Sequence, residues 1–138
     1  MSGLAYVDSS ALLKLALHEP EESALESDFL GRRGLVSSAL LALECRRAAR
    51  RHTDPHAENV VKDLLTSVYL LDVTPGILDR AARAGPPRLR SLDAIHLATA
   101  LSIDTEDLDV ITYDDRLAEA AAAHGLRVVR PGRGLTPV

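Results

Sequence analysis

Five short apolar runs punctuate the chain, at residues 4–8, 35–37, 68–73, 109–112 and 126–129, and helix-period stretches fill the intervals between them. That alternation is the strongest constraint on the fold. Each run is too short for a helix, and its continuous apolar character suits a strand buried on both faces. Strands of that kind pair in parallel, and the helices between them supply the crossovers. The expectation is an α/β domain: a mainly parallel sheet of about five short strands flanked by helices. At 138 residues the chain is long enough for one core. From Pro131-Gly132-Arg133-Gly134 onward a loose tail is expected.

Helix starts are marked by small polar residues and prolines. Ser9 and Ser10 are placed to cap a helix over 11–17, Ser37 or Ser38 one reaching about Arg51, and Thr74-Pro75 one reaching about Arg83. Glu19-Pro20-Glu21-Glu22 and Asp54-Pro55 open two more, and a helix over 114–124 stops at Gly125. The stretch 91–101 differs from the rest. Small or apolar residues cover most of its surface, which predicts a helix inserted into the core, with Ser91 as N-cap.

Composition removes several function classes. A net charge of −4 argues against coating nucleic acid by bulk charge, though not against a local basic patch. Tyr6, Phe29, Tyr69 and Tyr113 are too few for a base-stacking platform. No apolar run approaches the roughly 20 residues that span a bilayer. Met1-Ser2-Gly3 leads straight into the first strand without a basic segment and cleavage site, so a cytoplasmic location is expected. The one cysteine, Cys45, has no partner for an intramolecular disulfide and reads as a small buried hydrophobe.

Four acids stand where acids are costly. Asp8 and Asp114 follow strands at the carboxyl edge of the sheet, where ligands bind in open α/β folds. Each also suits a helix N-cap. Asp93 lies in the first turn of the apolar 91–101 helix, a place the helix dipole favours. Glu44 has Leu40, Leu41 and Ala48 as helical neighbours, so its carboxylate either reaches water at a rim or is paired, protonated or ligating. Four converging carboxylates repel one another and need a counter-ion. Hard oxygen donors suit Mg²⁺ or Mn²⁺, and the chain offers no Cys/His set for zinc. The chemistry that fits is metal-assisted phosphodiester hydrolysis.

Four stretches carry a family resemblance. They are Tyr6-Val7-Asp8-Ser9-Ser10-Ala11-Leu12, Leu43-Glu44-Cys45-Arg46-Arg47-Ala48, Leu92-Asp93-Ala94-Ile95-His96-Leu97-Ala98-Thr99-Ala100 and Thr112-Tyr113-Asp114-Asp115-Arg116-Leu117. With them the sequence resembles the PIN-domain ribonucleases, and more narrowly the VapC-type toxins of toxin–antitoxin pairs. The resemblance spans nearly the whole chain and implies a single PIN-like nuclease domain over residues 1–138. It implies a Mg²⁺- or Mn²⁺-dependent endoribonuclease whose catalytic and metal-binding acids fall on Asp8, Glu44, Asp93 and Asp114. Asp115 is held as an alternative ligand. Ser10 and Thr112 match hydroxyl positions that orient carboxylates or water. The resemblance also implies an RNA substrate, a homodimer and a small cognate VapB-like antitoxin. Leu12, Leu13, Leu17 and Leu25 serve equally as a dimer patch or as core.

His96 lies three residues after Asp93, on the same helix face, and reads either as a packed core histidine or as a contact to the site. Arg46, Arg47, Arg50 and Arg51 complement a helix C-terminus or meet RNA phosphate. Arg88, Arg90 and Arg116 flank two of the acids, so Arg46, Arg90 and Arg116 are the candidate substrate contacts. Two rival functions are a non-catalytic PIN-like binding module and an aspartate-based phosphotransfer domain. Intact acids disfavour the first. Against the second, a dehalogenase-type phosphatase expects an acid at Ser10, and a receiver expects a late-strand lysine where Lys14 and Lys62 do not lie.

Overall fold

The computed structural model describes residues 2–133. Its elements run β1 (Ser2–Val7), α1 (Ser9–Ala16), α2 (Glu22–Leu30), β2 (Arg32–Ser38), α3 (Leu40–Arg51), α4 (Ala57–Leu65), β3 (Val68–Leu71), α5 (Pro75–Arg83), α6 (Ser91–Leu101), β4 (Asp109–Ile111), α7 (Asp115–Ala123) and β5 (Arg127–Val129). The five strands form one parallel sheet in the order β3-β2-β1-β4-β5. The expected α/β architecture is therefore the one observed.

The strand order places the functional edge. The chain builds outward from β1 through β2 to β3, then crosses back to lay β4 and β5 on the other side of β1. The reversal opens a crevice beyond the carboxyl ends of β1 and β4, the usual ligand position in such sheets. Tyr6 pairs with Val110 and Val7 with Ile111, which brings the residues just after each strand side by side. Those residues are Asp8 and Thr112.

Strand alternation divides the core into two layers. Ala5 and Val7 face α1, α3 and α4 with Leu12, Leu41, Cys45 and Val61. Tyr6 faces the opposite layer with Leu97, Val110 and Leu117 from α6, β4 and α7. In α6, Ala94, His96, Leu97, Ala98, Thr99 and Ala100 are buried, as its composition predicts. Of the leucines weighed as dimer patch or core, Leu12 and Leu25 are buried in the core, while Leu13 and Leu17 pack against the same layer and stay partly exposed.

The structure moves several boundaries. Arg90, not Ser91, is the flanking residue of α6, and it makes no side-chain cap. Ser9 and Ser10 are the first residues of α1, because the Asp8 carboxylate reaches the Ala11 amide and caps the helix. Ser38 accepts from the Leu40 amide, while Ala39 holds the cap position of α3. β2 begins at Arg32, three residues before its apolar run. Of the expected tail, residues 131–133 are fastened down: the Tyr113 hydroxyl donates to the Pro131 carbonyl at 2.6 Å and Arg133 pairs with Glu21. Residues from Gly134 onward lie outside the described residues. Among the described residues no helix is long and apolar enough to cross a membrane.

Candidate active site

Asp8 anchors the site. Its residue is only 3% exposed, and three donors converge on its carboxylate. The Ser10 hydroxyl at 2.6 Å and the Ala11 amide at 3.1 Å both donate to Oδ1. The Thr112 hydroxyl donates to Oδ2 at 2.7 Å. Ser10 Oγ in turn accepts from the Tyr113 amide, and Thr112 Oγ1 from the Asp114 amide. Both hydroxyl protons are committed to Asp8, so the loops after β1 and β4 are tied together through one carboxylate. Burial raises its pKa, against the pull of those hydroxyls.

Asp114 follows β4 and caps α7, its Oδ1 accepting from the Arg116 and Leu117 amides. Its Oδ2 has no hydrogen-bond donor among the described residues. Glu44 reaches across from α3, and its Oε1 takes a 2.6 Å hydrogen bond from His96 Nε2. Asp93 stands in the first turn of α6 and accepts no hydrogen bond among the described residues. Partial burial raises its carboxyl, and Asp114, Asp8 and Glu44 raise it further. These four acids, with Ser10, Arg90, Leu92 and His96, line one pocket of about 260 Å³.

His96 is almost fully buried and belongs to two systems at once. Its Nδ1 lies 2.7 Å from the Tyr6 hydroxyl. Burial pushes the Tyr6 phenol well above its ordinary pKa, so it stays protonated and donates to Nδ1. That leaves Nε2–H for Glu44 and fixes the tautomer. Held at Oε1, Glu44 keeps Oε2 for the pocket. His96→Ala should weaken the apparent Mn²⁺ affinity in cleavage assays by about 10- to 100-fold, as loss of a ligand-orienting partner does. His96→Gln, whose amide nitrogen still donates to Glu44, should recover most of it. Equal losses in both variants would reduce His96 to packing.

The donor set fits a hard cation. Glu44 Oε2, Asp114 Oδ2 and both oxygens of Asp93 are unengaged oxygen donors around a locally unneutralised charge. No softer ligand competes: His96 spends both nitrogens, and burial pushes the Cys45 thiol up to about 12 within the core. Among the described residues no three acids, histidines or cysteines gather closely enough to cage an ion. An open arrangement of carboxylates is the kind that leaves coordination positions to water and phosphate.

Other candidates sit further out. Asp115 is 83% exposed at its side chain and pairs with Arg130 Nη2 at 2.7 Å, which holds its carboxyl below the usual range. It does not line the pocket. Arg46 is exposed on α3, also outside the lining. Arg90 stands at the pocket wall, and Arg116 lies in an adjoining cleft that Arg90 also lines. The tie from His96 to Glu44 could not be read locally, since 52 residues separate them. Its only sequence signal is a histidine in an otherwise apolar helix.

Comparison with known proteins places this geometry in context. The PIN domain family model matches residues 5–123. Ribonuclease VapC46 of Mycobacterium tuberculosis is 41% identical over 126 residues, covering 91% of this chain and 96% of the relative. Ribonuclease VapC35 of the same species is 39% identical over 135 residues, covering 94% and 98%. Among solved structures, Mycobacterium tuberculosis VapC20, described as a Sarcin-Ricin loop cleaving toxin, superposes with a TM-score of 0.73 at 17% identity, covering 92% of this chain and 99% of that one. A toxin–antitoxin complex from Klebsiella pneumoniae gives 0.64 at 20% identity, covering 92% and 97%. The two structural matches speak to the fold alone.

Proposed function

Because the chain belongs to the PIN domain family, we propose that it is a Mg²⁺- or Mn²⁺-dependent endoribonuclease acting as the toxin of a VapBC-type pair. The observation that carries this reading is the convergence of Asp8, Glu44, Asp93 and Asp114, from four different elements, on one pocket in which Asp93 has no neutralising partner. Glu44, Asp93 and Asp114 would offer the cation their unengaged oxygens and Asp8 its buried charge, in an open arrangement that leaves the remaining positions to water and phosphate. When bound, the cation supplies an activated water and charge stabilisation at the phosphorus and the leaving oxygen.

The chain's own residues set the stage for that step. Ser10 and Thr112 hold Asp8 at one orientation, so the β1 and β4 loops present a fixed wall. His96 orients Glu44 from behind. The α7 amides hold Asp114 by one oxygen and leave the other to the pocket. Arg90 supplies positive charge at the wall, where a phosphate's non-bridging oxygens would approach. Water then adds to phosphorus as the bond to the leaving oxygen breaks, and that oxygen is protonated.

The rest of the assignment rests on the family resemblance. The chain is proposed as one nuclease domain, cytoplasmic, homodimeric in solution and blocked by a small VapB-like antitoxin; a single-chain mass by light scattering would contradict the dimer. Induced expression in a bacterial host should arrest growth and generate new RNA ends, neither of them with Asp93→Asn. A small protein encoded beside this one should relieve the arrest. Unimpaired growth at high levels of soluble wild-type chain would contradict the toxin reading.

A further inference from the structure

We propose that the cleft between the 86–90 loop and α7 is a phosphate-binding subsite, seating the nucleotide that adjoins the scissile bond of a single-stranded RNA. This rests on the ribonuclease reading above and gives it a direction across the surface. The cleft encloses about 830 Å³ and opens beside the acidic pocket, since Arg90 lines both. Arg88, Arg90 and Arg116 form its charged walls, and Leu89, Ala120 and Ala123 its apolar floor.

Pairing and position together set these three arginines apart. Arg127, Arg130 and Arg133, which line the wide cleft between α2 and the end of β5, are each ion-paired with an acid of the chain. Arg88, Arg90 and Arg116 are exposed, and none has a carboxylate within 4.0 Å among the described residues, although Glu119 lines the same cleft. Arg46, Arg47, Arg51 and Arg80 are unpaired among the described residues as well, but only Arg88, Arg90 and Arg116 combine the lack of an ion pair with a shared cleft beside the acidic pocket. Nor do they turn inward to neutralise the four site acids. Three like charges gathered on one cleft repel one another until an anion enters, and Glu119, the one acid of the lining, is ion-paired with none of them. A guanidinium fork matches two phosphate oxygens, and the apolar floor is suited to the flat, weakly polar part of a nucleotide.

The loop is built to hold this shape. Gly85 turns the chain at φ +68, a conformation that disfavours a side chain, and an added Cβ would also meet Leu89 Cδ2 at 2.8 Å. Two prolines follow, the Leu89 amide donates to the Pro86 carbonyl at 2.9 Å, and Leu89 packs against the core. The guanidiniums thus project from a fixed backbone on one side and from helix α7 on the other.

The test uses full-length Asp93→Asn, so that RNA is bound without being cut. Arg88→Ala and Arg116→Ala, each added to it, should weaken binding of a short single-stranded RNA by about tenfold. Each should also lower the magnitude of the log Kd against log salt slope by about 0.7. Methylphosphonate replacement of one linkage flanking the scissile bond should cost the same tenfold in the parent, and little more in the Arg88→Ala background. Unchanged affinity and salt slope, or additive losses at every linkage, would overturn the subsite. So would loss of antitoxin inhibition with RNA binding untouched, since the cleft would then serve a protein. If RNA binds through the cleft but wild type never cleaves it, the nuclease reading fails and the cleft stands as an RNA-phosphate site without a scissile bond beside it.

Discussion

Asp93→Asn is expected to cut RNA about 100-fold or more slowly than wild type, and yet to melt no lower than wild type in chelator. The two effects come from one cause. Asp93 accepts no hydrogen bond among the described residues, and burial and the carboxylates of Asp114, Asp8 and Glu44 raise its pKa. A carboxyl raised in the fold favours folding while protonated and opposes it once ionised. At neutral pH without metal, ionised Asp93 therefore works against the fold, and asparagine removes the charge while keeping the shape. The advantage of Asp93→Asn should fade as pH falls from neutral toward about 4, the ordinary carboxylate value, because the wild-type group is then protonated too. Mn²⁺ reverses the ranking. An ion that binds only the folded cluster stabilises wild type by about 2.7 kcal/mol at 100 times its Kd, and the variant, lacking a charged ligand, should gain less. Thermal melts of both proteins in chelator and in Mn²⁺ check this. A much lower melting point for metal-free Asp93→Asn would make Asp93 a structural helix-terminus acid.

Asp8→Ala should also abolish cleavage, but with a large loss of stability. Its carboxylate is the N-cap of α1 and the acceptor for both Ser10 and Thr112. Removing it strands two hydroxyl donors and an amide in a buried place, at a cost of about 2–4 kcal/mol. Asp8→Asn keeps an acceptor for Ala11 and Ser10, and an amide that can face Thr112, so it should restore most of the stability and none of the activity. Denaturant melts beside cleavage assays separate the two roles. If Asp8→Ala is as stable as wild type, the cross-loop tie is not what holds this edge together.

The sheet was legible because short apolar runs and helical periods alternate cleanly, and the four acids because each interrupts an apolar context. The errors share a physical origin in tertiary contact. β2 starts with Arg32, which no apolar pattern would admit to a strand. Its side chain is nearly fully buried and is compensated by Asp28 and Asp109, the latter 77 residues away. The serines expected to cap α1 yielded to Asp8, because Ser10 is drawn instead to the Asp8 carboxylate and the Tyr113 amide across the sheet. The resemblance sets Asp114 ahead of Asp115, but local pattern alone gives no reason for the choice. Arg130, from beyond β5, pairs with Asp115 outside the pocket, while the start of α7 turns Asp114 toward it. The first residues of the supposed tail are held by Tyr113 and Glu21, and Arg133 and Lys14 each lie over the Tyr113 ring.

The most direct test of the central claim is a time course of end-labelled single-stranded RNA with the wild-type chain in Mn²⁺, after excess chelator, and after Mn²⁺ is restored. Four carboxylates acting through one cation predict that cleavage proceeds, stops and resumes. Cleavage that continues in excess chelator would contradict that account.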